Sequence, residues 1–277
     1  MNIGLHVAAR SDQATAGAIW GMPVAASIKP AALDSGICPI RTYIETMLEL
    51  RFPESAVSLY PVFFGSLRRA MRALGMRSLQ TGTPATAAEA EQVLNEQFPE
   101  SKWGEHQHFE LYRREARRTL HAFAAAFRPG VPQRLLDPEH EVAPSGSGIQ
   151  VRLDLIARFV DQSGIEVVIG FRPESLNAKL NKRGAVNWSG IKDHAQIPFV
   201  LMWKTNPRIE AQVFSGADGA FYKLEWHARN GMPKAVEEIV ARHRALAEND
   251  FTTAIVPYKC DRCHVRVTCP YWIGAIP

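Results

Sequence analysis

The sequence predicts a mixed α/β fold, and three observations lead to this prediction. Before residue 130, four segments repeat apolar residues at helical spacing, which is typical of amphipathic helices. In residues 149–159 apolar and polar side chains alternate, which indicates a strand with one polar face. An apolar strand over residues 165–172 follows the turn-rich residues 161–164, so the two strands are expected to pair as a hairpin. Helices before and after strands indicate a sheet packed against helices.

The other elements are predicted from similar local signals. The first helix covers residues 31–50 and is interrupted at Cys38-Pro39, because proline cannot continue the hydrogen bonds of a helix. Thr86 is expected to cap a helix that ends near residue 98, since Glu89 completes a capping box three residues later. Further helices are predicted over residues 61–74, 105–127, 194–204 and 234–248, and further strands over residues 209–214 and 220–226.

The composition is that of an ordinary globular protein and narrows the possible partners only a little. A net charge of +4 in 277 residues suits a nucleic-acid partner without requiring one. No apolar run is long enough for a membrane span, and the N-terminus lacks the apolar core of a signal peptide. We therefore expect no membrane partner and a cytoplasmic location.

The chain is expected to form one large domain behind a short extension. Residues 1–27 show no clean period and are interpreted as the extension, and residues 28–277 as the domain. Within the domain we expect a helical part over residues 28–130, a core with the strands over residues 131–250, and a cysteine-bearing tail over residues 251–277.

The cysteines are candidate metal ligands. Cys260, Cys263 and Cys269 have the spacing C-x2-C-x5-C, which lets neighbouring thiolates reach one metal, whereas Cys38 lies far upstream. The spacing alone does not choose between zinc and iron–sulfur, although a distant fourth cysteine favours an iron–sulfur cluster. In the alternative, Cys38 is a core thiol and the tail binds zinc with the help of His264.

The first cysteine lies in a recognisable segment. Residues 28–43 read Ile-Lys-Pro-Ala-Ala-Leu-Asp-Ser-Gly-Ile-Cys-Pro-Ile-Arg-Thr-Tyr, and this segment resembles the opening of RecB-family nuclease domains, notably AddB. It is also similar to CRISPR-associated exonucleases of that family. The resemblance implies that four cysteines bind a [4Fe–4S] cluster, namely Cys38, Cys260, Cys263 and Cys269.

Motifs in the middle of the chain follow the order of the same family. The segment Gly-Ser-Leu-Arg-Arg at residues 65–69 stands in the place of the family's G-x-x-x-H. Asp154 stands in the place of the first catalytic aspartate, residues 167–173 in the place of the strand with D-x-K, and Gln196 in the place of the glutamine on the next helix. The resemblance implies a PD-(D/E)XK restriction-endonuclease-like core, a mixed sheet flanked by helices, with a helical N-terminal region and a metal-cluster tail.

The catalytic positions depart from the family pattern. Gly170 stands where the second carboxylate is expected, Arg172 where the lysine is expected, and Arg69 where the histidine is expected. Asp154 and Gln196 remain, but one carboxylate supplies too few oxygen ligands to retain Mg²⁺ or Mn²⁺. If Arg69 and Arg172 face the old site, they could pair with Asp154 or bind a phosphate. We therefore expect a catalytically inactive, nuclease-like protein.

A relocated active site is the first alternative. The nearby acidic residues Glu141, Glu166 and Glu174 could supply the missing carboxylate, and Glu166 shares strand parity with the degenerate motif. The chain would then be an active Mg²⁺- or Mn²⁺-dependent DNA exonuclease. A second alternative is an architectural subunit that contacts only protein.

Two basic segments are candidate contacts with DNA, which we expect to be single-stranded. A positively charged connection with an aromatic residue suits single strands, through charge and base stacking. The connection after the hairpin carries Lys179, Lys182, Arg183, Trp188 and Lys192. A basic helix stripe that includes Arg113 and Arg117 could follow phosphates, although a solvated helix face is the simpler interpretation. The resemblance also implies a helicase or nuclease partner, in recombination, repair, or mobile-element and CRISPR-type defence.

Overall fold

The computed structural model describes residues 27–33, 59–100, 108–187, 191, 193–225 and 231–248. They divide into two compact units, each of which has its own sheet. The first unit contains the described residues 27–33, 141–152 and 237–248. The second unit contains the other described residues, between residues 59 and 236.

Five α-helices occur in the described residues, and they agree with the sequence prediction in place and type. They are α1 (Leu59–Thr81), α2 (Ala87–Gln97), α3 (Phe109–Ala126), α4 (Asp193–Thr205) and α5 (Gly231–Glu248). The predicted capping box at the start of α2 is confirmed. The amide of Glu89 donates to Oγ1 of Thr86 over 3.2 Å, and the amide of Thr86 donates to Oε2 of Glu89 over 2.7 Å. Of the helix predicted over residues 31–50, only the 3-10 helix Pro30–Leu33 lies within the described residues. None of the described helices is long and apolar enough to cross a membrane.

The strands form two sheets, which confirms a mixed α/β fold. They are β1 (Ser27–Ile28), β2 (Arg134–Leu135), β3 (Glu141–Val142), β4 (Gln150–Arg152), β5 (Ala157–Val160), β6 (Glu166–Arg172), β7 (Val186–Asn187), β8 (Glu210–Ser215) and β9 (Ala220–Glu225). In the first unit, β4 pairs parallel with β1 and antiparallel with β3. In the second unit, the sheet order is β2-β5-β6-β8-β9-β7. Its parallel pairs are β6 with β8 and β7 with β9, and its other pairs are antiparallel.

The single strand predicted over residues 149–159 is wrong, because the chain leaves the extended conformation between β4 and β5. The alternation of burial ends where Leu155, Ile156 and Ala157 are buried in succession. Three consecutive buried residues cannot lie on one face of a strand, so the backbone turns there. The hairpin itself is confirmed, since β5 and β6 pair across the turn that begins at Asp161.

The core of the second unit lies between the sheet and the first three helices. Alternate residues of β6, namely Val167, Ile169 and Phe171, belong to one buried cluster with residues of α1, α2 and α3. The opposite face of β6 contacts α4, because the position of Gly170 lies against the ring of Phe199. The sheet therefore has helices on both faces, and Gly170 and Arg172 lie on the face toward α4.

Candidate functional site

Asp154 lies on the segment just before β5, where two arginines of α1 bind it. Nη1 of Arg68 lies 3.2 Å from Oδ2 of Asp154, and the guanidinium of Arg72 forms a salt bridge with Oδ1. Residues four apart on a helix face the same side, so both arginines reach the same carboxylate. The side chain of Asp154 is 43% exposed, so water still reaches it. The carboxylate of Asp154, which the sequence suggested as catalytic, is thus neutralised by two positive charges.

Arg72 binds three oxygen acceptors at once. Besides Asp154, its guanidinium forms a salt bridge with Glu139, and its Nε donates to the carbonyl of Leu155 over 3.0 Å. The side chain of Arg72 is only 12% exposed. We call these three acceptors, the carboxylates of Glu139 and Asp154 and the carbonyl of Leu155, the oxygen cage.

The two arginines at degenerate motif positions have other partners. Arg69, one residue after Arg68, lies about 100° around the helix from it. Its guanidinium donates to Ser66 over 2.8 Å and to Gln97 over 3.4 Å. Arg172 donates from Nε to Glu174 over 2.9 Å. The arginines that pair with Asp154 are therefore Arg68 and Arg72, rather than the two that the motif suggested.

The position of the second carboxylate is closed by an aromatic ring. A Cβ atom on Gly170 would lie 2.6 Å from Cζ of Phe199, closer than packed atoms allow. Arg172 lies two residues on, on the same face of β6, and it is buried. Burial alone would raise the pKa of Glu174. The hydrogen bond and the charge of Arg172, a backbone hydrogen bond and the charge of Lys179 together outweigh burial, so the pKa lies below the ordinary 4.5. Glu174 therefore stays charged near neutral pH.

The three acidic residues predicted as relocated carboxylates have partners of their own. Glu166 accepts from Nε of Arg158 over 2.6 Å and from Asn206 over 3.1 Å, and Glu174 binds Arg172 as described. Glu141 belongs to the first unit, where it accepts from Ser27 over 3.1 Å. The carboxylate that shares an arginine with Asp154 is instead Glu139, which the sequence reasoning missed. No motif marks it, because it lies upstream of both strands of the hairpin.

The structure describes some, but not all, of the metal ligands predicted from the sequence. Gly170 offers no ligand and Asp154 is paired with arginines, so these positions do not fit Mg²⁺ or Mn²⁺. In the part of the chain that the structure describes, no group of three or more His, Cys, Asp or Glu side chains could hold a metal ion. Gln196 donates to the carbonyl of Ile191 near the start of α4. The predicted cluster ligands Cys38, Cys260, Cys263 and Cys269 lie outside the described residues.

The basic connection after β6 forms a tight turn at the edge of the sheet. Oδ1 of Asn181 accepts from the amide of Arg183 over 2.9 Å and from that of Ala185 over 3.2 Å. Gly184 has a φ of 74°, which favours glycine in this turn. Lys182 and Arg183 are exposed at its tip, and the side chain of Arg183 is 82% exposed. Two further candidates of this connection, Trp188 and Lys192, lie outside the described residues.

The basic stripe on α3 connects this helix to α2. Nη2 of Arg113 donates to Asn95 over 2.7 Å, and Nε of Arg117 donates to Glu91 over 2.8 Å. His121, one turn after Arg117, also contacts Glu91, over 2.7 Å. These contacts favour a structural role for the stripe, because its arginines are already paired with residues of a neighbouring helix.

Replacing Glu91 should change how stability depends on pH. Arg117 lowers the pKa of Glu91 below its ordinary 4.5; burial opposes this shift, and His121 adds to it. A carboxylate with a lowered folded pKa stabilises the protein above 4.5 and loses that contribution as the pH falls through the folded pKa. We therefore expect Glu91→Gln to reduce the loss of stability on acidification, as measured by urea unfolding over a pH series. Glu96→Gln on the same helix serves as the control, and equal pH slopes for both variants would contradict the prediction.

Comparisons with known proteins add no assignment. No protein-family model matches the chain, and none of the curated proteins matches it.

Proposed function

We propose that this chain is a catalytically inactive, RecB/AddB-like nuclease-fold protein with a four-cysteine iron–sulfur cluster, and that it binds single-stranded DNA. A helicase or nuclease partner, in DNA repair, recombination or mobile-element and CRISPR-type defence, is part of the same proposal. It rests on the motif order in the sequence, together with the contacts at the two predicted carboxylate positions, Asp154 and Gly170. The cluster rests on the cysteine pattern alone.

The order of elements in the second unit supports a PD-(D/E)XK core. A helix, α3, is followed by the antiparallel strands β2, β5 and β6, then by α4, and then by β8 parallel to β6. Asp154 stands just before β5, and Gly170 and Arg172 lie on the adjacent strand β6. Such a nuclease core would place these positions near each other on adjacent strands, although here Asp154 contacts α1 and Gly170 contacts α4.

The observation that carries the inactive assignment is the pairing of Asp154 with two arginines. A divalent cation would have to displace the guanidinium groups of Arg68 and Arg72, and only one motif carboxylate would receive it. The ring of Phe199 occupies the space of the second carboxylate. Glu166 and Glu174, which could have supplied a relocated ligand, are bound to arginines. Each of these contacts favours a protein that binds DNA without metal-dependent cleavage.

The exposed turn at residues 181–184 is the best candidate for contact with DNA. Lys182 and Arg183 are exposed at the tip of a hydrogen-bonded turn, and Arg183 forms a salt bridge with Glu225 at 3.6 Å. Such a weak surface pair leaves Arg183 able to bind phosphate. By contrast, Arg113 and Arg117 are paired with α2, so we expect them to contribute less.

The test combines metal analysis, cleavage and binding on one anaerobic preparation. We expect about four irons per chain, as a four-cysteine cluster requires, and no cleavage of single-stranded DNA in Mn²⁺. We expect salt-dependent DNA binding whose log–log salt slope falls by about two in Lys182→Glu/Arg183→Glu, one for each phosphate contact. The matched control is Lys204→Glu/Arg208→Glu, which changes two exposed cations near the end of α4 by the same charge.

Each outcome separates the proposals. Zinc without iron would contradict the cluster, and Mn²⁺-dependent cleavage that Asp154→Ala abolishes would contradict the inactive assignment in favour of an active exonuclease. Equal loss of binding in both double variants would place the contact elsewhere than at the turn. No salt-dependent binding by the unmodified chain, with a stable protein partner in pull-down, would favour the architectural alternative.

A further inference from the structure

The oxygen cage around Arg72 has the composition of a cation site. Its three acceptors come from two separate segments of the chain and converge on one partly buried positive charge. Carboxylate and carbonyl oxygens are the ligands that Mg²⁺, Mn²⁺ and Ca²⁺ prefer in proteins. The occupant here is a guanidinium, a monovalent cation that arrives on a helix of the same chain.

The charges explain why the guanidinium stays in place. Glu139 and Asp154 contribute two negative charges, and Arg72 and Arg68 contribute two positive charges within the same group of salt bridges. Arginine keeps its charge at any physiological pH, so this compensation does not depend on the protonation of Arg72. Removing Arg72 would leave two carboxylates and a carbonyl close together with a net negative charge, which a free cation can neutralise.

We propose that the guanidinium of Arg72 is a built-in substitute for a divalent cation, and that the oxygen cage binds such a cation when Arg72 is shortened. The site differs from the family motif, because Glu139 takes the part that the motif gives to the position of Gly170. This inference goes beyond the proposed function and does not depend on DNA binding. In the unmodified chain, Arg72 excludes the metal and holds the start of β5 against α1.

A second arginine of α1 offers a matched comparison. Arg77 also forms a salt bridge with a glutamate, Glu89, but its side chain is 51% exposed. Among the described residues, neither a second carboxylate nor a carbonyl binds the guanidinium of Arg77. Removing Arg77 therefore takes away the same charge from the same helix without leaving an oxygen cage behind.

The test measures Mn²⁺ binding by electron paramagnetic resonance of the free ion, together with the thermal midpoint of unfolding with and without Mn²⁺. We expect Arg72→Ala to bind Mn²⁺ at least tenfold more tightly than either the unmodified chain or Arg77→Ala does. Mn²⁺ should also raise the thermal midpoint of unfolding of Arg72→Ala. Adding Glu139→Gln or Asp154→Asn to Arg72→Ala should abolish both effects. Arg72→Gln, which lacks the charge but retains a hydrogen-bond donor, is the second variant.

Two results would overturn the inference. One is Mn²⁺ binding by Arg72→Ala and Arg72→Gln that is no tighter than that of Arg77→Ala. The other applies if the Arg72 variants unfold. A bound cation should then restore their helical circular dichroism, so no recovery in Mn²⁺ would also overturn the inference. Neither readout uses DNA, so a failure here leaves the proposed DNA binding to its own test.

Discussion

Gly170→Asp is expected to destabilise the protein and to produce no cleavage, although it introduces the carboxylate that the proposed family motif has at this position. The new Cβ would lie 2.6 Å from the ring of Phe199, so the ring or the strand must move. Overpacking a core costs about 1–3 kcal/mol, and burying a carboxylate on this face adds to that cost unless Arg172 pairs with it. We expect a loss of about 3 kcal/mol, measured by urea unfolding, with Mn²⁺-dependent cleavage assayed on the same sample.

The contact with Phe199 can be separated from the effect of the charge. Gly130→Asp is the control, because a Cβ there meets no atom within 4 Å and the change should cost little. In a Phe199→Ala background, the additional cost of Gly170→Asp should be smaller than in the unmodified chain, as a double-mutant cycle would show. An equal cost in both backgrounds would mean that the ring is not the obstacle. Cleavage by Gly170→Asp would contradict the view that this position is closed.

Phe123→Ala is expected to be the most destabilising single change in the second unit outside the site. Phe123 on α3 is fully buried, and its ring packs within 5.2 Å of those of Phe127 and Phe214 and within 5.6 Å of that of Phe221. Truncating a buried phenylalanine costs about 3–5 kcal/mol, through lost burial and the cavity left behind. Urea unfolding followed by tryptophan fluorescence and circular dichroism measures the loss.

The control for this change lies on the same helix. Leu111 is 45% exposed, so Leu111→Ala should change stability by no more than about 0.5 kcal/mol. If both variants lose the same free energy, the burial of Phe123 would not explain the effect. A small loss in Phe123→Ala alone would instead mean that α3 does not pack on β8 and β9 as described.

If the proposed function is correct, metal-dependent cleavage would require several changes at once. The ring of Phe199 closes one carboxylate position, and Arg68 and Arg72 neutralise the other. Shortening Arg72 alone should admit a cation, but Arg172 still stands where the lysine that helps activate water is expected. We therefore expect metal binding and cleavage to be separable properties in this chain.

The features that were predicted correctly depend on neighbours in the sequence. The capping box of α2 needs only Thr86 and Glu89, three residues apart, and the hairpin needs only two apolar runs and the turn at Asp161. The predicted strand across residues 149–159 failed because its alternation of burial ends at Leu155, and the next two residues, Ile156 and Ala157, are buried as well. Strands of two residues, such as β2 and β7, carry too few side chains for a period to be recognised.

By itself, the sequence determined the mixed α/β class and most of the elements, since these depend on local pattern and residue type. Only the tertiary structure decided which arginines bind Asp154. Helical periodicity predicts that Arg68 and Arg72 share one face of α1 and that Arg69 lies about 100° around the helix from Arg68. It does not predict which face meets the segment before β5. The contacts of Glu139 with Arg72 and of Gly170 with Phe199 join residues distant in sequence. Such contacts follow from packing helices on a sheet, which no local pattern encodes.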